Sequence, residues 1–333
     1  MFNNTTKRVC CMIITFFAIN VHADISQSQY ETLETMFHTR QYEPLMHDLA
    51  KLDSSDVKVK ILTVAVAIAQ DNDDKEKMLE ALVRRYPNNA KVHYNAGELW
   101  YQIKEQSSLF NKLGFVDKSN QSYITAAELA PENPKYLVAA SKALAIESGF
   151  WDSDKKQSKA IVDKLKPVSE RYYYLALMDY LQNTQNEPEA LSTITTIGSQ
   201  FSQDVTLMHR AANLLWTFSE EEQAQKLFVD TCKIAKRTAD QLPLWRDACI
   251  SSAYLALQGH GKKQLALEAL NLLLEKEQVQ DAQHIEYLMV YAQVNKEIEN
   301  KATAKKAYQQ ALALAEDRST QKDIRRALKK LSK

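Results

Sequence analysis

The feature that most constrains this chain is a pattern returning roughly every 35 residues from about Gln27 to Glu316: an apolar helical stripe, a short polar break and a second stripe. Self-similarity at that spacing implies a stack of like units, each too small to bury its own apolar face. Ala224-x3-Phe228, Ala304-x3-Tyr308-x2-Ala311 and Tyr123-x2-Ala126-x4-Pro131 are copies of one arrangement, and Gly97-x2-Trp100 is its counterpart on a preceding helix. In each, a small residue lies within a turn or so of a bulky one. Only 6 Gly and 7 Pro interrupt the 333 residues, and these are the costliest residues in helix interiors. No alternating β-branched run points to a sheet. The expected fold is all-α.

These motifs resemble the tetratricopeptide (TPR) repeat family, and the stretch from Phe110 to Pro131 is similar to exported bacterial TPR proteins. The resemblance implies a right-handed superhelix of antiparallel helix pairs, with the first helix of each pair on the inner curve. It also implies a role in binding rather than catalysis. About eight pairs are expected, with units near 27–52, 56–85, 134–166, 168–200, 203–237, 243–276 and 280–316, and a capping helix near Thr320 to Leu331. The third unit, from Asn89, is about ten residues longer than a TPR repeat. Its excess holds Leu109, Phe110, Leu113, Phe115 and Val116 around Gly114. Counting back from Pro87 and Pro167 puts Lys75 and Lys155 where a small residue belongs, which leaves the register of those units, or a different helical repeat, open.

Residues 1–23 read differently. Lys7 and Arg8 precede an apolar run of 11 residues from Val9 to Ile19, and Val21-His22-Ala23 offers a cleavage site before Asp24. The run is short of the ~20 residues a membrane span requires, and no Leu-x-x-Cys lipobox ends it. The expected organisation is a signal peptide over 1–23 and a TPR-like domain over 24–333, periplasmic or secreted. No stable membrane insertion is expected after cleavage. The 42 basic and 42 acidic residues balance, leaving no electrostatic footprint for nucleic acid. Lys322, Arg325, Arg326, Lys329, Lys330 and Lys333 form the one basic cluster, which reads as the solvated face of the last helix.

Catalytic and metal signatures are missing. The histidines are scattered, with no H-E-x-x-H and no C-x-x-C. Asp71-Asn72-Asp73-Asp74 lacks the glycine of a calcium loop and reads as a turn with helix caps. Gly259-His260-Gly261 follows no strand and lacks the third glycine of a dinucleotide loop. Three Ser-x-x-Lys matches fall at unrelated helix starts, and no G-x-S-x-G elbow occurs. No enzyme activity and no cofactor are expected.

Counting from the small residues Gly97 and Ala212 directs Tyr94, Glu98, Tyr101, His209, Asn213 and Trp216 into the concave groove. Tyrosine and tryptophan make good anchors, burying large area while keeping a polar handle. With Phe110 and Phe115 from the over-long unit they make the candidate partner site, a pocket bounded by Tyr94, Glu98, Tyr101 and the 109–116 segment. The alternative is that the extra residues lengthen two helices and bury each other. The function expected is a scaffold for a protein or peptide of the cell envelope. A carbohydrate-binding accessory of envelope polymer biogenesis is the second reading, because aromatic grooves also stack on sugars, and a hydrolase ranks third.

Cys232 and Cys249 are the cysteines left after signal cleavage and lie symmetrically about the Thr238–Pro243 turn. Equal lengths of two antiparallel helices therefore lead to each, and a disulfide suits an oxidising compartment; two buried thiols are the alternative. Export is directly checkable. N-terminal sequencing of protein made in a Gram-negative host is expected to start at or next to Asp24, and full-length chain in the cytoplasm would exclude it.

Overall fold

The computed structural model describes residues 25–53, 55–146, 154–276 and 282–331, apart from the side chains of Leu109 and Phe110. The segment 1–23 lies outside the described residues. Seventeen α-helices account for nearly all the regular structure described, with no strand among them. In chain order they are α1 (Gln27–His38), α2 (Tyr42–Leu49), α3 (Val57–Ala69), α4 (Lys75–Arg85), α5 (Ala90–Gln106), α6 (Leu109–Leu129), α7 (Pro134–Ala145), α8 (Lys155–Leu165) and α9 (Glu170–Thr184). Then follow α10 (Glu187–Gln200), α11 (Val205–Thr217), α12 (Glu221–Lys233), α13 (Leu242–Leu257), α14 (Lys263–Lys276), α15 (Ala282–Glu297), α16 (Lys301–Leu314) and α17 (Arg318–Leu331). A 3-10 turn, Ala239–Gln241, precedes α13. Successive helices pack as antiparallel pairs, α1 with α2 through to α15 with α16, and α17 lies on α16 as a cap. The protein is an all-α, TPR-like solenoid.

Side-chain caps decide where many of these helices start. Asp56, Asn89, Asn133, Ser169 and Asp204 each accept a backbone N–H from the first turn of the following helix, each worth about 1 kcal/mol. The turn inside a pair repeats as well. Arg40, Asp71, Gln185, Ser219, Gly259 and Glu299 all sit between paired helices in the left-handed region. A single left-handed residue reverses the chain in the least space, at a cost of about 1–2 kcal/mol where it is not glycine. This one turn geometry serves six pairs.

Close approach is clearest in the third pair. At Gly97 a Cβ would meet the Tyr123 ring at 2.5 Å, and Ser119 donates to the Gly97 carbonyl at 2.8 Å, so α5 and α6 pack backbone against ring. In the fourth pair two fully buried serines take the glycine's place. Ser158 Oγ donates to the Ser141 carbonyl at 2.8 Å, and the two hydroxyls are 3.0 Å apart. The small position of α8 is thus Ser158, three residues beyond Lys155. Lys155 instead opens α8, as Lys75 opens α4.

The over-long third unit has no protruding loop. Its excess lengthens α5 and α6, the two breaking only at Ser107 and Ser108. Phe115 is buried and stacks on Trp100 with centroids 5.9 Å apart, whereas Leu113 is 55% exposed. The Phe110 side chain lies outside the described residues.

Burial runs between pairs as much as within them. One continuous core reaches from Ala127 to Val294, with Phe228, Leu181, Leu214 and Leu255 among its fully buried members. Cys232 and Cys249 are disulfide-bonded within it, their Cα atoms 5.2 Å apart, joining the end of α12 to α13. Trp245 Nε1 donates to the Cys232 carbonyl at 2.7 Å, satisfying an acceptor that the end of α12 leaves open. Two long-range contacts close the curve. Arg246 on α13 donates to the His38 carbonyl at 2.9 Å, and Arg40 donates to the Gln283 side chain on α15. The first pair therefore rests against the seventh and eighth.

In the chain-entropy model a disulfide closing a loop of this length stabilises by about 3 kcal/mol. Cys232→Ala/Cys249→Ala is expected to lose roughly that amount in urea unfolding. Thiol titration of the denatured, unreduced mature protein is expected to find no free thiol; two free thiols would exclude the bond.

Candidate functional site

First helices touch the first helices of the next pair at α1–α3, α3–α5, α7–α9, α9–α11, α11–α13 and α13–α15, while second helices pack comparably only at α12–α14. Elements that crowd together lie on the inside of a curve, so the first helices form the inner face. Polar ties run along it from pair to pair. Arg171 on α9 donates through Nε to Asp204 at 2.5 Å, and Arg210 on α11 donates to Asp179 on α9. His209 Nε2 lies 2.6 Å from Asp247 on α13, and the Tyr254 hydroxyl donates to Glu286 on α15.

Tyr94, Glu98 and Tyr101 follow one another along α5. Tyr94 donates to Glu98 at 3.1 Å, and its ring stacks on Tyr136 of α7 with centroids 5.0 Å apart. Burial, and then the neighbouring Glu98 carboxylate, raise the Tyr94 hydroxyl well above the ordinary tyrosine pKa. Tyr94 is therefore a neutral hydrogen-bonding group, partly engaged in packing. Tyr101 is 45% exposed, with the Lys104 ammonium 3.8 Å from its ring centroid and Lys142 at 5.9 Å. Glu98 is exposed. These two side chains present the accessible surface of the set.

The remaining expected site residues divide. His209 is buried in the α11–α13 tie of this face, where it fastens two pairs together and presents little accessible surface. Phe115 is core, for the reason given above. Trp216 is half-buried, edge-on to Phe228 with centroids 6.1 Å apart. Asn213, also half-buried, donates to the His209 carbonyl at 3.1 Å. The two halves of the set sit on α5 and α11, three pairs apart in the chain. Arg210 nevertheless acts electrostatically on Tyr94 across the inner face. Burial opposes the Arg210 charge, but Asp179, with Glu98 and Tyr94 further off, raises its pKa above the ordinary value.

A row of cations escaped the sequence reading. Lys58, Lys91, Lys135 and Arg171 are each the second residue of a first helix, in α3, α5, α7 and α9. The signal is a cap residue, any residue, then a base: Asp56-x-Lys58, Asn89-x-Lys91, Asn133-x-Lys135 and Ser169-x-Arg171. Lys91 and Lys58 lie 4.1 and 5.4 Å from the centroid of one ring, Tyr30 of α1, and Lys135 lies 4.7 Å from Tyr94. Burial lowers the Lys91 pKa, with Glu34 and Asp56 opposing the shift and Lys58 and Lys135 adding to it. Among the described residues, no group of three or more His, Cys, Asp or Glu is placed to hold a metal ion, and no helix is long and apolar enough to cross a membrane.

No protein-family model matches the chain, and comparison with curated proteins found no match. Among solved structures the chain is similar to one in the crystal structure of the APC/C hetero-tetramer Cut9-Hcn1, with TM-score 0.44 and 15% identity. The similarity covers 92% of this chain and 56% of that one, so this chain spans little more than half the length of its match. The helical-repeat architecture itself stands on the pairing of helices and the recurring turn described above.

Removing one partner of a partly buried charge pair exposes its cost. The Arg210 side chain is 29% exposed and Asp179 8%. Asp179→Asn is expected to cost about 1.5–3 kcal/mol, as for other hydrogen bonds to charged groups. Chemical denaturation would measure it, and an unchanged midpoint would mean that the tie contributes nothing.

Proposed function

We propose that this protein is an exported helical-repeat scaffold that binds a protein or peptide of the cell envelope along its inner face. The observation that carries the reading is the accessible surface of α5, where Tyr101 and Glu98 stand out from helices whose other large side chains are committed to packing. An exposed aromatic with a polar tip, beside a carboxylate that can orient a donor, is the chemistry of an interface anchor. The stack of Tyr94 on Tyr136 holds α5 against α7 beside this surface, so little ordering is required when a ligand docks. The signal-like segment 1–23 supports export into the envelope, and the Cys232–Cys249 bond suits the oxidising compartment that export reaches.

The mature protein, immobilised, is expected to retain the same envelope protein from independent extracts. Tyr101→Ala/Glu98→Gln is expected to weaken that capture several-fold, roughly 1–2 kcal/mol for a single anchor, with the thermal midpoint little changed, because Tyr101 is exposed and the glutamine can still accept from Tyr94. Capture equal to that by the wild-type chain would sink the groove reading. Tyr94→Ala is a poorer probe, since its ring packs on Tyr136 and its loss would disturb the fold as well as the surface.

A further inference from the structure

The capping helix closes over a small cavity at the C-terminal end of the stack. Asp323, Arg326 and Lys330 recur at i, i+3 and i+7 along one flank of α17, beside the apolar stripe that buries Ile324 and Leu331. With Gln293 and Lys296 of α15 and Tyr308 of α16 they line a cavity of about 230 Å³. Pockets for drug-sized ligands begin at about 300 Å³, so an occupant here is small. Three cations face a single carboxylate. Arg326 meets Asp323 only loosely, at 3.9 Å, and neither Lys296 nor Lys330 forms an ion pair among the described residues.

Tyr308 supplies the second observation. Ala304-x3-Tyr308 repeats the motif Ala224-x3-Phe228 of an earlier pair. Phe228 is fully buried, so packing at this position asks for a ring and not for a hydroxyl. Tyr308 is 6% exposed and forms no hydrogen bond among the described residues, yet its oxygen still meets solvent. Burial alone raises its pKa above the ordinary tyrosine value, which keeps the hydroxyl protonated and able to donate. A spare donor has been placed at a cavity edged by cations.

We propose that this cavity binds a phosphate monoester, its oxygens on Lys296, Arg326, Lys330 and the Tyr308 hydroxyl, with Asp323 receiving a hydroxyl of the molecule that carries it. Near neutral pH a monoester bears about −1.5 to −2 charge and offers three acceptor oxygens. Three cations less one carboxylate match that charge, and the donors outnumber the oxygens. A carboxylate ligand brings one charge and two oxygens, and leaves donors idle. The basic cluster at the end of the chain therefore divides. Lys322, Arg325 and Lys329 are exposed and solvated, while Arg326 and Lys330 serve the cavity. The site shares no residue with the α5 surface and stands apart from the inner-face reading.

The test is calorimetric titration of the mature protein with glucose 6-phosphate, with glucose 6-sulfate as the singly charged control. The phosphate is expected to bind about tenfold tighter near pH 7, and the preference to shrink toward pH 5 as the ester takes its second proton around pH 6. No histidine lines the cavity, so that pH dependence belongs to the ligand. Tyr308→Phe is expected to weaken binding several-fold, and Lys296→Gln/Lys330→Gln about tenfold per lysine. Thermal midpoints should hold, because the groups removed have no protein partner. Lys322→Gln/Lys329→Gln, on the exposed face, is expected to bind like wild type. Co-sedimentation with phosphatidylcholine vesicles containing phosphatidic acid, a monoester lipid, separates the two sources. Vesicle capture that the cavity variants lose puts the phosphate on a lipid headgroup, and binding of glucose 6-phosphate alone puts it on a free molecule. Binding of neither probe, equal affinity for the phosphate and sulfate esters near pH 7, or cavity variants that bind like wild type would overturn the proposal.

Discussion

The distance between two paired helices is the quantity on which this molecule depends. Where Gly97 leaves room for the Tyr123 ring, and where Ser141 and Ser158 trade hydrogen bonds, the backbones come close enough for large residues on either side to interdigitate. A pair held that closely still cannot cover its outer apolar residues. It presents them to the next pair, which is why one core runs from Ala127 to Val294 without a domain break. Ridges packed at fixed distance and angle then set the curvature, and curvature gathers the first helices on one side.

That side carries the polar side chains. Apolar burial stabilises the stack without specifying how neighbouring pairs are rotated, whereas Arg171 with Asp204, Arg210 with Asp179 and His209 with Asp247 each demand a particular register. Paired charges in partly buried sites contribute more to such geometry than to net stability. The lysines of α3, α5 and α7 belong to the same row of positions and lack the carboxylates that complete it in α9.

Much of the fold was legible because repetition averages out local ambiguity. A small residue one turn from a large one marks a crossing when it recurs, and caps such as Asn89 and Asn133 mark helix starts. The third unit was harder to read, since Gly114 resembles a break. One glycine costs a helix only about 1 kcal/mol, and burial of Phe115 against Trp100 outweighs it. Lys155 misled for a related reason: distance from a following proline says little when the loop between has its own length. At the site, 3.6-residue counting placed Tyr94, Glu98 and Tyr101 on one helix face but could not separate His209 from that set. Its partner Asp247 belongs to the next pair, and a single helix carries no record of its neighbour's charge. The Arg210–Asp179 tie and the Tyr94–Tyr136 stack likewise appear only once the pairs are stacked.

An open solenoid unfolds like a row of dominoes, each unit answering only to the next. The contact of Arg246 with the His38 carbonyl changes that, because it couples residues 208 positions apart in the chain. Losing the first pair removes support from α13 as well as from α3, so damage at one end is transmitted to the middle without passing through the units between. Such a ring gains cooperativity, and it folds more slowly, since the closing contact forms only after most of the curve exists. It also has a handedness of access. A segment docking on the inner face, as proposed above, would have to enter from an end of the coil or wait for the Arg246–His38 and Arg40–Gln283 contacts to open.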